Sequence, residues 1–570
     1  MTSAPETPTN TLPESYLIAE FGKTNTTAVL FDVAAGSYRL LARGTAATTA
    51  EEPWSDIMVG LFQAISQIEG ATGRKLLNSQ QKLITPSRQA GEGIDKFAAI
   101  ASAADPLNTL LVGLFDEVSL ESARRALHTT YAHEIDAFSL NDLRDEDEKL
   151  TALIQLEPDL IFITGGTDGG AAQRLLRLVD TLQLGASVLS EKQRVFVLYA
   201  GNKALREPVN NRLKEVAHVQ VAENVRPGLD SEYLDDASRL INSLYEDIKI
   251  AKLPGIKSVQ SWTEQRIMPT AQAFSLIAKY FAALQNQTVL GIDIGSDSVT
   301  LITTNARQTQ MIVRTDLGMG KPLAKLLDKI SPAQIARWVP EAISDEEVRD
   351  FILYKSLYPQ TVPQTEIELY LEQAVARELM RCILPAKLPP YAMILARGGV
   401  LTHTPRPGHT VLMLLDALQP TGIFSIALDK YNVLPALGVL AKIQPTAVVQ
   451  ILEAGVLTDL GWVIVPTGKG QAGQTIVTGA VESEQGGQFD LDIEYGAIDT
   501  TVLSTGQIAN VMLNPQKRID IGFGEGKSKK ITVRGGAVGL VIDGRGRPLS
   551  IPASEERYEL VRKWYWDVGG

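Results

Sequence analysis

Two separate stretches of the chain share one hydrophobic layout. In LIAEFGKTNTTAVLFDV (17–33) and again in LGIDIGSDSVTLIT (290–303), a short apolar run delivers an acidic residue, one apolar residue and a glycine. Small hydroxyl or amide residues then turn the chain and a second apolar run leads away, which predicts a tight β-hairpin in each place. After the first hairpin, SYRLLARGTAATT predicts a third strand. PWSDIMVGLFQAISQIEGATG predicts a helix, because Ile57, Leu61, Ile65 and Ile68 recur at helical spacing, PWSD can cap the start and GATG ends it.

The rhythm then changes to continuous apolar strands alternating with amphipathic helices. An apolar run at 109–115 is followed by PDLIFITGGTDGG, QRVFVLYAGNK and AHVQVAENVRPG, with AAQRLLRLVDTLQL and EPVNNRLKEV between them. This pattern predicts a parallel sheet covered on both faces. The helix TAQAFSLIAKYFAAL leads into the second hairpin, beyond which strand candidates 289–294, 299–303 and 392–396 surround helices such as 365–383. From 445 onward, short Val/Ile-rich runs alternate with glycine turns about every ten residues, the pattern of a small β-sandwich or barrel. The predicted organisation is a disordered tail (1–14), a first lobe (15–94), an inserted parallel α/β unit (95–250), a connecting helix (251–287), a second lobe (288–444) and a β-rich C-terminal domain (445–570).

A chain of 570 residues is too long for one core, and about three or four domains is the expectation. A formal net charge of -12 repels phosphate backbones and anionic headgroups, and no strong basic patch offsets it, so nucleic acid and membrane surfaces are not expected partners. The basic turn GRGRP (544–548) reads as solvated. The single cysteine, Cys382, lies in a helical pattern as a small core residue, and the five histidines are scattered. His403 and His409 flank THTPRPGHT, which reads as a loop rather than a metal site. The N-terminal MTSAPETPTNTLPES lacks the charged and apolar regions of a secretory signal, and no apolar run approaches the about 18 residues that span a bilayer. A cytoplasmic location is therefore expected.

The hairpins carry the candidate chemistry. Backbone N–H groups and hydroxyls in a tight turn can cradle a phosphate, and a carboxylate at the end of the first strand can hold magnesium or its waters. Glu20 and Asp293 are those carboxylates, the candidate catalytic and metal-binding residues. Gly22 and Gly295 allow close approach, while Thr24, Asn25, Thr26, Ser296 and Ser298 supply hydrogen-bond partners. Each hairpin alone is equally well read as a plain polar turn; the pair, facing one another, would grip a nucleotide from both sides. A third element, MILARGGVLTH, is a strand ending in Arg397, Gly398 and Gly399, whose paired glycines can open room for an adenine and ribose.

Hairpin, hairpin and strand-Gly-Gly, in that order, resemble the layout of the actin-like ATPase superfamily, which includes actin and the sugar kinases. The ordered set ITGGTDGG, YAGNK, AENVRPG, QRIMPTAQA, GIDIGSDSVT, RTDLGMG and LARGGVL resembles the glutamate mutase L family of that superfamily over about residues 15–440. The resemblance implies a two-lobed, ribonuclease H-like fold with an inserted parallel unit, and binding of ATP with Mg2+. It also implies a protein partner, an adenosylcobalamin-dependent mutase that the protein would serve as chaperone or reactivating factor. The chain departs from the superfamily pattern at Glu20, where Asp is usual, at Lys23, where a small hydroxyl residue is usual, and at Ser296, Asp297 and Thr300 of the second hairpin. These departures keep a second reading open, a nucleotide-binding scaffold without turnover. A small-molecule kinase is a third, disfavoured by the lack of a catalytic base beyond the hairpin carboxylates. TGGTDGG (164–170) is a glycine-rich strand-to-helix loop that fits either a ligand contact or tight packing at the sheet edge.

Overall fold

The computed structural model describes residues 14–88, 91–170, 173–191, 194–484 and 486–569. The tail read as disordered over 1–14 lies, except for Glu14, outside the described residues. The chain forms two compact units. One comprises residues up to Ala103, Leu253–Ile277 and Val433–Val456; the other comprises Ala104–Lys252, Ala278–Asn432 and everything from Leu457 onward.

The first unit is built on a five-stranded sheet in the order Met268–Pro269, Lys96–Ala101, Tyr16–Phe21, Asn25–Ala34, Ser37–Ala47. Tyr16–Phe21 runs antiparallel to Asn25–Ala34 and parallel to Lys96–Ala101. Hydropathy grouped Lys96–Ala101 with the inserted unit, because its apolar run (KFAAIA) reads like any buried parallel strand; pairing places it here instead. The helix Ile57–Thr72 forms where expected, with Asp56 accepting from the Met58 N–H and Gly73 ending it at φ 69°. Ile57, Leu61, Ile65 and Ile68 are all fully buried. Gly44 lets this helix lie on the sheet, since a Cβ there would stand 1.8 Å from the Ala64 carbonyl oxygen.

The second unit carries an eight-stranded sheet, whose first five strands run Thr309–Arg314, Val299–Thr304, Val289–Ile294, Met393–Arg397, Gly422–Leu428. Their order and directions repeat those of the first unit: a two-turn antiparallel meander whose first strand is also flanked by a parallel strand, with a further strand beyond. This duplicated lobe is the ribonuclease H-like topology of the actin-like fold, in a mixed α/β chain. The remaining strands, Thr458–Val465, Gly539–Asp543 and Ile498–Thr501, extend the same sheet. The β-rich tail is thus not a closed sandwich or barrel of its own. Part of it continues the lobe, and the rest is a four-stranded antiparallel sheet packed over Ile464, Leu540 and Ile542.

The inserted unit is an all-parallel five-stranded sheet in the order Ala132–Phe138, Leu107–Val112, Leu160–Ile163, Val195–Tyr199, Ala217–Val221. The strand Ala132–Phe138 (AHEIDAF) was not predicted. It is an edge strand, so its charged residues need not be buried and the apolar signal is diluted.

Two further readings are corrected. The turn at 544–548 is not solvated: Arg545 and Asp543 are buried, and Arg545 bridges Asp543 (Nε–Oδ1 2.9 Å) to Asp416 (Nη1–Oδ1 2.8 Å). Of the loop expected over 402–410, residues 403–406 form one, but His409 lies in the helix Pro407–Leu418, with proline in its first turn, where its missing N–H costs nothing. Among the described residues, no helix is long and apolar enough to cross a membrane.

Candidate functional site

The two hairpins are equivalent bond for bond. In the first, Glu20 faces Thr27 and Phe21 faces Thr26 across the strands, and the Gly22 N–H donates to the Asn25 carbonyl at 2.9 Å. In the second, Asp293 faces Thr300 and Ile294 faces Val299, and the Gly295 N–H donates to the Ser298 carbonyl at 2.9 Å. Each glycine is needed because a Cβ would press on that same carbonyl oxygen, at 2.9 Å for Gly22 and 3.1 Å for Gly295. The acidic residue is in both cases the penultimate residue of its strand, followed by one buried apolar residue that anchors the turn in the core.

Each turn is propped by the segment that follows the third strand. In the first unit Thr48 donates its N–H to the Thr24 carbonyl (2.9 Å) and its hydroxyl to the Gly22 carbonyl (2.6 Å), and Thr26 shares a hydroxyl contact with Thr48 at 3.0 Å. In the second, Met319 N–H donates to the Gly295 carbonyl (3.0 Å) and Gly320 N–H to the Ser296 carbonyl (2.7 Å). Gly318 makes this approach possible, as its Cβ would lie 2.3 Å from the Ser296 carbonyl oxygen. Neither Thr48 nor 318–320 was singled out as part of a site; the glycine spacing of DLGMG was visible but gave no hint of what it packs against.

Lys23 projects from the first turn toward neighbouring acceptors of its own unit. Its Nζ lies 3.2 Å from Glu51 and 3.4 Å from the Ala103 carbonyl. Glu51 is 60 % exposed, so this pair is weak. In the second unit, Arg397 is buried beside Asp293, with Nη1–Oδ2 at 3.4 Å, and its Nε lies 4.0 Å from Asp429. Burial raises the Asp293 pKa above the ordinary carboxylate value, and the nearby Arg397 only partly reverses this. Gly398, at φ 109°, packs on the end of the hairpin strand, where a Cβ would meet the Ile294 carbonyl oxygen at 2.3 Å. Thr24, Asn25 and Thr26 stand on or beside the first turn, and Ser296, Asp297 and Ser298 form the second. Gly399 begins the short helix Gly399–Thr402.

Among the described residues there is no cluster of three or more His, Cys, Asp or Glu that could cage a metal. The first hairpin offers one carboxylate, Glu20, and the second offers two, Asp293 and Asp297, beside backbone amides. That donor set suits a hydrated magnesium ion carried mainly by phosphate oxygens, and not a dedicated protein cage.

The glycine-rich loop 164–170 and the motifs YAGNK and AENVRPG lie at the carboxyl ends of three neighbouring parallel strands. There they bond to each other: Asn224 Nδ2 donates to Asp168 Oδ1 (3.0 Å) and to the Gly166 carbonyl (3.0 Å), and Lys203 N–H donates to Asp168 Oδ1 (3.0 Å). These contacts pack the three loops against one another.

The lobe repeated in the two units defines the class, an actin-like fold in a mixed α/β chain. Within that class the chain belongs to the MutL protein family, whose model matches residues 16–384 and 387–456. Protein MutL of Clostridium tetanomorphum is 24% identical over 489 residues, covering 77% of this chain and 98% of that protein. Solved structures with weak overall similarity include gluconate kinase from Lactobacillus acidophilus (8% identity, 79% of this chain and 93% of that one, TM-score 0.32) and glycerol dehydratase reactivase (11% identity, 75% and 100%, TM-score 0.29). The family match ends at the boundary between Val456 and Leu457, leaving the β-rich extension outside it.

Proposed function

We propose that the protein binds ATP through its two hairpins and uses the nucleotide to act on a protein partner, as a reactivating or accessory factor for an adenosylcobalamin-dependent mutase. The observation that carries the nucleotide part is the bond-for-bond equivalence of the hairpins: two turns of one design, on two copies of one lobe, each offer backbone N–H groups and hydroxyls to a phosphate. In this reading the turns at 22–25 and 295–298 hold phosphates by backbone N–H groups and hydroxyls. Arg397, Gly398 and Gly399 line the adenosine side. Glu20 and Asp293 orient the metal's waters and the attacking water. Mg2+ would supply neutralisation of the phosphate charge. Membership of the MutL family supports the mutase class of partner.

The alternative, a nucleotide-binding scaffold without turnover, is favoured by one observation. Arg397 already stands against Asp293, and a guanidinium there competes with a metal for the same carboxylate. One experiment separates the two. An adenosylcobalamin-dependent mutase blocked by an inactive corrinoid is incubated with the protein, ATP and magnesium. Recovery of mutase activity that ADP does not support is the expected result; nucleotide binding with neither turnover nor recovery would leave the scaffold.

A further inference from the structure

We propose that residues 313–320 form a mechanical link through which the nucleotide state of the second hairpin is transmitted to the inserted parallel unit, which makes that unit the output element of the protein. The inference rests on the nucleotide reading above and names the regulation of that same site.

At one end the link is tied to the hairpin. Met319 and Gly320 donate their N–H groups to the Gly295 and Ser296 carbonyls, on the two turn residues that would face a phosphate. Gly318 lies so close to Ser296 that there is no slack: an added Cβ would stand 2.3 Å from its carbonyl oxygen and 3.0 Å from the Ser298 nitrogen. A fractional shift of the turn must therefore move the segment, because close-packed atoms transmit displacement and do not absorb it.

At the other end the link is tied to the inserted unit. The Val313 N–H donates to the His128 carbonyl at 2.6 Å, and the buried Thr315 hydroxyl donates to the Ala132 carbonyl at 3.1 Å. His128 closes the helix Glu121–Leu127 and Ala132 opens the edge strand Ala132–Phe138, so both bonds land on one connection of the inserted unit. Between the two ends the segment is stiff. Leu317 is fully buried and Met319 nearly so, while Arg314 clamps Asp316 with two bonds (2.7 and 2.6 Å) and Lys329 pairs with the same carboxylate.

Beside this joint lies a cleft of about 450 Å³ lined by His128, residues 132–137 and 314–316. The unit is therefore held here by a few directed bonds next to open space, which permits a small rotation without loss of core. The first lobe lacks this arrangement. Its propping residue Thr48 is followed by Thr49, which bonds to Asp56 at the start of the helix Ile57–Thr72.

The test is amide hydrogen exchange on the full-length protein, with and without ATP or ADP and magnesium, alongside calorimetry. ATP is expected to slow exchange at least about threefold both at 293–300 and at 128–138. Thr315→Val should keep the slowing at 293–300 and lose it at 128–138, and Thr315→Ser, which retains the hydroxyl, should restore it. Slowing at 293–300 with no change at 128–138 in the unmutated protein would overturn the link while leaving the nucleotide reading intact. So would a full response in Thr315→Val. Absence of both nucleotide heat and slowing at 293–300 would remove the nucleotide reading and the link with it.

Discussion

Lys23 stands in a turn otherwise made of a glycine and small polar residues, with its amine 3.2 Å from Glu51 and 3.4 Å from the Ala103 carbonyl. On the proposed nucleotide reading, this cation is expected to contact a phosphate. Lys23→Ser should weaken ATP binding roughly ten- to a hundredfold, the worth of one charge-assisted hydrogen bond at about 1.5–3 kcal/mol. Tighter binding in the variant, measured by calorimetry, would mean that the lysine plugs the site. Asp293 makes a different prediction. Its burial disfavours the charged form until a cation arrives, so its ionised role belongs to the metal-loaded state. Asp293→Asn should cut ATP turnover at least about a hundredfold while changing ATP affinity less than about tenfold, as read from single-turnover rates and binding isotherms. An equally active variant would remove Asp293 from the chemistry. Both acids were legible in the sequence, because an acidic residue, an apolar residue and a glycine at a strand end is a local pattern. Glu51, Thr48 and Gly318 were not, since their importance lies in contacts between segments far apart in the chain.

At the scale of elements, the most consequential feature is a buried ionic chain joining the β-rich extension to the second lobe. Arg377, Asp416, Arg545, Asp543 and Arg547 follow one another through contacts of 2.6–2.9 Å, all of them buried or nearly so. Arg545 also lies over the Trp564 ring at 4.6 Å. Burial alone would raise the Asp543 pKa, but Arg545 and Arg547 more than reverse it and hold the carboxyl well below the usual range. Removing one member of such a chain strands its partner's charge, and Asp543→Asn is expected to cost about 3–5 kcal/mol in urea unfolding. A loss below about 1 kcal/mol would contradict the account. Nearby, the Tyr565 hydroxyl donates to Gln373 Oε1 (3.0 Å), which turns the Gln373 amide N–H toward His409 Nδ1 (3.2 Å). That nitrogen must accept, so the ring stays neutral; burial, then Arg377 and Arg406, lower its pKa to about 4. With an unfolded value near 6.5, the unfolded chain takes up a proton first as pH falls. Stability is therefore complete above about pH 6.5 and declines toward pH 4, by roughly 3 kcal/mol for this group. His409→Gln should flatten that part of the pH–stability curve, and an unchanged slope would assign it elsewhere. Hydropathy found the helices and central strands of this region but read 544–548 as solvated. Charge in a sequence marks exposure only when no partner waits inside, and Asp416 is too distant in the chain to be seen as one.

For the whole molecule, the account holds that one fold was used twice and that both copies serve one ligand. The repeated strand order, the matching registers and the turns, each held by the segment after the third strand, are three expressions of that duplication. The hairpins and the helix on the first sheet were readable because each is specified by neighbours in sequence. Membership of Lys96–Ala101 in the first sheet, and annexation of Thr458–Val465 by the second, depend on long-range pairing that hydropathy does not encode. The central claim, one nucleotide served by both hairpins, is tested most directly by the stoichiometry of ATP binding in the unmutated protein and in Gly22→Val and Gly295→Val, each confirmed as folded by its melting transition. A Cβ at either position would press on the carbonyl that closes its turn. The account predicts one site per chain in the unmutated protein and loss of most affinity in either variant alone. Two independent sites, or a variant that keeps full affinity, would contradict it.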